Sequence, residues 1–402
     1  MDLTASEIPV IPVETLEFSG NIDAFLPDAR KVHPWLARFS QGWLVHGYDA
    51  VADLLADDAN LVPGFGGVID FYGVRGTMWG RFMEQMLLSL SGPDHTRLRG
   101  SVAAAFTPRR ANREREMMQR VIGELIDEWA PRGHFDFAEF ASFFPVTVIC
   151  GVLGVSAEPI PRIRGALENQ LKSLNMDQAA KPLFMAGWGV LWDFAETVIA
   201  EREASGQFDE DALLDTLIAA KNAGQMDDIE LRFMLLTIVI AGYDTSKNML
   251  TLMMNMLLDR PDDYARCAED LAFCGKFTQE ALRHSAIASP FRAAARDFSY
   301  GGHDFRQGEL VVLAPSLGGR DPSVFPDPLS IDPERANAGR HLGFGRGAHI
   351  CLGQFIARNQ LQEGIHLIAQ RLKNPRRDGE VAWRPFLGAW GLATLPIAFD
   401  PA

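Results

Sequence analysis

The residues best suited to chemistry lie in one glycine-rich run, His341-Leu-Gly-Phe-Gly-Arg-Gly-Ala-His-Ile-Cys-Leu-Gly353. Gly343, Gly345 and Gly347 precede Cys351, Gly353 follows it, and a helical pattern then runs from Gln354 to Leu372. Glycines take positive φ and let the backbone pass close to a bulky flat ligand. A cysteine where a helix begins has its thiolate favoured by the helix dipole and by nearby N–H groups. Such a thiolate can be an axial ligand to haem iron. Two other readings stand beside this one. One is a phosphate loop, although the spacing departs from G-x-G-x-x-G and no strand precedes it. The other is a buried structural thiol, the usual fate of a free cysteine.

A second unusual stretch is Ala241-Gly-Tyr-Asp-Thr245, inside an otherwise apolar helical pattern. Glycine within a helix costs about 1 kcal/mol relative to alanine, and burying an unpaired carboxylate is expensive. Three such departures at Gly242, Asp244 and Thr245 point to a site. The alternative is a solvent-facing aspartate and a threonine bonded back to the preceding turn. His95 and Arg99, at i and i+4, share one helix face and suit a carboxylate; a solvated basic face is the other reading. Glu280 and Arg283 form an i, i+3 pair that on a surface would mean little.

Positioning these groups falls to helices. Helical periodicity dominates from about Pro93 to Leu282, with amphipathic stretches at 112–131 and 188–204. The longest candidate runs from Asp228 to about Leu258, about 45 Å of helix, opened by Asp227 and Asp228 and stopped at Pro261. Strand signals are short: Gly42–His46, Glu309–Leu313 and Ala393–Phe399. Residues 315–347 have the composition of a long ordered loop. The pattern predicts one mostly helical domain over 1–402 with a minor β region.

Composition narrows the class. The chain has 38 basic and 52 acidic side chains, a net charge of −14, which argues against a broad nucleic-acid-binding face. Four cysteines in 402 residues make no disulfide framework and no paired zinc spacing. The first residues lack signal-peptide character, and the longest largely apolar run, Phe233–Tyr243, is shorter than the roughly 20 residues of a span. A cytoplasmic protein with no membrane association is expected.

The glycine–cysteine run is similar to the Phe-Gly-x-Gly-x-(His/Arg)-x-Cys-x-Gly motif of the cytochrome P450 haem-thiolate monooxygenases of the bacterial soluble type. The match is at Phe344, Gly345, Gly347, His349, Cys351 and Gly353. Ala241–Thr245 resembles that family's (Ala/Gly)-Gly-x-(Asp/Glu)-Thr motif, and His95–Arg99 its His-x-x-x-Arg element. The resemblance implies the cytochrome P450 fold, with a long central helix over haem b. It implies Cys351 as the iron ligand, Phe344 near the sulfur, and Gly353 in the same binding segment. His95, Arg99, Arg292 and His349 would bind haem propionates. Gly242 would open a groove for O2, Thr245 would support protonation of the bound oxygen, and Asp244 would link that site to water. Glu280, Arg283 and Arg335 would be scaffold.

By family layout, the 65–86 stretch would roof the pocket. Phe184, Met185, Trp188 and Trp192 would lie in access-channel helices, with 288–291 and 387–390 completing the wall. The expected substrate is a hydrophobic small molecule, terpenoid, aromatic or steroid-like. The chain shows no appended flavin or iron–sulfur module, so electrons are expected from a separate ferredoxin and ferredoxin reductase. These would be steered by Arg97, Arg109, Arg110, Arg113 and Arg346. Alternatives are a peroxide-driven peroxygenase, a non-catalytic haem ligand sensor and a glycine-loop nucleotide-binding protein.

Overall fold

The computed structural model describes residues 8–400; Met1–Glu7, the start of the segment read for a signal peptide, lie outside it. The chain is 59% helical with small sheets. It divides into two compact units, residues 1–65, 275–351 and 382–393 in the first, and 66–274, 352–381 and 394–402 in the second.

The first unit carries a five-stranded sheet in the order Leu36–Phe39, Gly42–Val45, Leu310–Leu313, Phe291–Ala294, Leu61–Pro63. Only the Gly42–Val45 and Leu310–Leu313 pair is parallel. Two of the expected strands are therefore present within a residue. The third expectation, Ala393–Phe399, is two strands, Leu392–Thr394 and Pro396–Asp400. Leu395 separates them because its N–H donates to Asp136 Oδ1 (2.8 Å) and its carbonyl accepts from Phe137 N (2.8 Å). Leu36, Val45, Val51, Leu54, Leu313 and Phe325 form part of this unit's core.

The second unit is built on the helix Asp228–Leu257, one residue shorter than expected. Asp227 accepts from Glu230 N (2.7 Å) while Glu230 accepts from Asp227 N (2.9 Å). This reciprocal cap is worth about 1 kcal/mol. The expected 112–131 helix is two, Pro108–Arg113 and Arg115–Trp129, broken at Glu114. Arg115 begins the second by bonding Glu363 and Asn359 on the helix Gln354–Arg371. The expected 188–204 helix extends over Lys181–Ser205. Residues 178–205 are long and apolar enough, by composition alone, to cross a membrane. However, Phe184, Trp188, Leu191 and Phe194 of that stretch are buried in the protein itself.

Two glycines set how closely the helix Phe137–Leu153 is packed against its neighbours. A Cβ on Gly242 would lie 2.9 Å from Ile149 Cδ1, on the helix Phe137–Leu153. A Cβ on Gly364 would lie 2.9 Å from Phe144 Cε1, a ring with no exposed surface, and 3.5 Å from Leu250. Gly364→Ala gains about 1 kcal/mol in helix propensity but overpacks the core at a cost of about 1–3 kcal/mol. The expected result is a net loss of about 1 kcal/mol in chemical denaturation, relieved when Phe144→Leu is added. A stabilised single variant would mean that the ring has room to move.

Candidate active site

The cysteine segment belongs to the first unit. Cys351 N–H donates to Phe344 O (2.7 Å) and Gly345 N–H to Leu342 O (2.9 Å), closing a tight loop. Gly345 and Gly347 make the loop possible, with φ of +73° and +74°. A Cβ on Gly347 would also lie 2.8 Å from Ala56 Cα, so the loop rests against the end of the helix Tyr48–Leu55. Asp321 Oδ2 accepts from Tyr48 N (2.8 Å) at the start of that helix. His341 Nδ1 accepts from Gly343 N (3.1 Å), and its ring lies 5.6 Å from that of Phe344. None of the four cysteines is in a disulfide, and of the four Cys351 alone is partly open to its surroundings. Burial pushes the Cys150 thiol up to about 11, the mark of an inert core cysteine.

Arg292 lies on the strand Phe291–Ala294, opposite Val311 and Pro63. It is 5% exposed. Its one hydrogen bond is from Nη1 to Phe291 O (3.2 Å), and no carboxylate lies within ion-pair distance among the described residues. Burial lowers its pKa, with Asp58 opposing. A buried cation without a counter-charge is costly, and this one fits an anionic ligand group.

The other buried arginines of the unit are satisfied. Arg283 bonds Glu280 (2.7 and 2.8 Å), Gly319 O, Pro328 O and Ser330 O, and Arg335 joins the same carboxylate at 3.0 Å. This trio is scaffold by its bonding.

In the second unit, Gly242, Asp244 and Thr245 are on the central helix. Asp244 is 0% exposed, so the solvent-facing reading is wrong. The back-bonded reading of Thr245 is right: Oγ1 donates to Ala241 O at 2.7 Å. Most of this helix is buried, yet Ile238, Ile240, Ala241, Gly242 and Thr245 are half-buried. Of these, Ile238, Ala241, Gly242 and Thr245, at i, i+3, i+4 and i+7, share one face. His95 is buried and Arg99 half-buried, one turn apart on the helix Gly92–Val102.

Several aromatics assigned to an access channel are core. Phe184 packs on Tyr72 (4.8 Å) and Trp79 (4.6 Å), and Trp188 on Phe82 (4.7 Å). Trp79 Nε1 donates to Gln170 Oε1 (2.9 Å), and Gln170 Nε2 to Phe184 O (2.7 Å), which fixes the cluster.

One charged group beside Tyr243 and Lys247 escaped the sequence reading. Glu168 accepts from Lys247 Nζ (2.8 Å) and Tyr243 OH (3.1 Å), with Arg164 at 3.8 Å. Lys247, a lysine in an apolar run, was the visible signal; its side chain is 3% exposed. Burial raises the Glu168 pKa, but Lys247, Arg164 and Tyr243 together outweigh it and hold the carboxyl below its usual 4.5. Burial, with Glu168 beside it, raises the Tyr243 phenol.

Known proteins decide the family. The Cytochrome P450 family model matches residues 172–380. Over 373 residues the chain is 34% identical to luteothin monooxygenase of Streptomyces thioluteus, covering 92% of this chain and 91% of that one. The chain belongs to the cytochrome P450 family. This P450 is also 31% identical over 376 residues to 6-deoxyerythronolide B hydroxylase of Saccharopolyspora erythraea, covering 89% and 90% of the two chains. Its structure matches that of P450BioI, determined with an acyl carrier protein ligated to hexadec-9Z-enoic acid. There the TM-score is 0.85 and the identity 26%, over 96% of this chain and 100% of that one. The protein is therefore a P450 monooxygenase that uses haem b. The partly open Cys351 thiol and the buried, uncompensated Arg292 fit such a group, a thiolate for iron and a cation for a carboxylate arm.

The Glu168 pair gives an acid-sensitive test. Glu168→Gln takes away the carboxylate bonded to the buried Lys247 ammonium, at a cost of about 2–4 kcal/mol. Because the folded carboxyl titrates below 4.5, its stabilisation is complete above that pH and is lost as pH falls through the folded value. Denaturation of both proteins should show a full gap at neutral pH that narrows in acid. A gap independent of pH would contradict this.

Proposed function

We propose that Cys351 ligates the haem iron and that the enzyme oxygenates a hydrophobic small molecule, terpenoid, aromatic or steroid-like. The observation that carries this is the half-buried face shared by Ile238, Ala241, Gly242 and Thr245 on a mostly buried helix. When bound, haem b supplies activation of O2, with one oxygen atom going into a C–H or C=C bond and the other into water. Arg292, His95, Arg99 and His349 hold the propionates, with the buried Arg292 charge as the main argument. Phe344 packs by the sulfur and Gly353 opens the helix that follows.

Gly242, whose missing Cβ admits Ile149 of the helix Phe137–Leu153, would keep side-chain bulk away from O2 beside Thr245. The Thr245 hydroxyl must turn from Ala241 O to hand on a proton, and Asp244 replenishes it from the buried side of the same turn. Burial of Asp244 limits stray water. The substrate class is supported by the apolar face and by the long-chain hexadec-9Z-enoic acid presented to P450BioI in its carrier-protein complex.

Electrons come from a separate ferredoxin and its reductase. Residues 1–402 act as one cytoplasmic domain, since the chain passes between the units after residues 65, 274, 351, 381 and 393 and neither unit is a continuous segment.

The reduced CO complex should show the red-shifted Soret band of thiolate ligation, and Cys351→Ser or Cys351→His should abolish it. A haem-loaded wild type without that band refutes the ligand assignment. Thr245→Ala should keep substrate binding, seen as a spin-state shift, while product per electron falls about tenfold or more and peroxide accumulates. Undiminished product yield in that variant removes the role given to Thr245.

A further inference from the structure

A ferredoxin-type donor requires a cationic face, and this P450 largely neutralises the one its sequence offers. Arg97 is held by Glu230 (2.6 and 3.0 Å) and Gln225 O (2.8 Å) at the start of the central helix. Arg110 and Arg113 both bond Asp211 Oδ1, at 2.5 and 2.9 Å, and Arg110 also bonds Glu210 O at 3.0 Å. Arg109 and Arg346 are exposed. The arginines that would face a partner are therefore mostly occupied by this chain's own acids.

Asp211 ends a run of three acids, Asp209-Glu210-Asp211, in the connection between the helices Lys181–Ser205 and Leu213–Asn222. The connection is tied at its base. Asp209 N donates to Asp215 Oδ2 (2.9 Å), Asp211 N to Asp209 Oδ1 (2.9 Å), and Asp215 pairs with Arg202 (3.4 Å). The Asp211 carboxylate itself is 54% exposed. Arg110, Glu114 and Asp211 line a small cavity together with Ile356, which lies in the first turn of the helix leading away from the cysteine loop, five residues beyond Cys351.

We propose that this connection is a self-masking strap: Asp211 occupies, at Arg110 and Arg113, the cationic site where an acidic one-electron carrier docks, and a carboxylate of the carrier displaces it. The proposal rests on the ferredoxin reading above. Exchange is easy because one exposed carboxylate replaces another, and exposed ion pairs add little stability. Weak docking suits the chemistry. Each turnover combines O2, two electrons and two protons with the substrate to give one oxygenated product and one water. A one-electron carrier must therefore bind and leave twice, as transient redox complexes do.

The test is titration of the holoenzyme with an acidic [2Fe–2S] ferredoxin at low and high ionic strength. Asp211→Asn should bind about two- to fivefold tighter at low salt. That gap should close at about 0.5 M salt, where screening removes exposed attractions. Arg110→Glu and Arg113→Glu should each bind more weakly than wild type. Asp211→Asn binding that equals or falls below wild type overturns the strap, and so do undiminished Arg110→Glu and Arg113→Glu variants. The dithionite-reduced CO spectrum reads the haem–thiolate assignment separately. All variants should retain it, and its absence from the wild type would sink that assignment whatever the titration gives.

Discussion

A single backbone hydrogen bond, from Cys351 N to Phe344 O, fixes the one thiol in the protein that is not sealed in a core. The loop it closes tolerates no ordinary side chain at two positions. Gly345 and Gly347 lie in the left-handed region, and Gly347 touches the end of the Tyr48–Leu55 helix. That helix is in turn tied at its start to Asp321. The orientation of one sulfur thus depends on a chain of backbone contacts that reaches the 315–347 loop. The long irregular stretch is ordered because it braces the cysteine loop and the Glu280–Arg283–Arg335 cluster.

Charge is handled in two ways. Where an arginine is structural, every donor has an acceptor, as at Arg283. Where a cation is buried without an ion-pair partner, as at Arg292, the fold bears an electrostatic cost that a carboxylate placed there would reduce. A ligand that supplied the missing charge would link its binding to folding of this unit.

The cysteine loop and the central helix were legible because each is local: glycine spacing, a capping acid and a stopping proline lie within a few residues of what they control. The ion pairs of Arg97, Arg110 and Arg113 were invisible in the sequence because their partners, Glu230 and Asp211, are about a hundred residues away. The break at Glu114 was hidden for the same reason, since Arg115 answers to Glu363. Phe184 and Trp188 look alike in sequence whether they line a channel or fill a core, and the neighbours Tyr72 and Phe82 decide it. Lys247 was visible, but its partner Glu168 lies on another helix.

The five-stranded sheet has a consequence for synthesis of the chain. It pairs strands from 36–45 and 61–63 with strands from 291–313. On the ribosome, the earliest strands must wait for some two hundred and thirty intervening residues, 63 to 291, before they find their neighbours. Most of the helical unit has been translated by then. These early strands thus stay unpaired through much of synthesis, and their open edges are a part of the nascent chain in need of shelter.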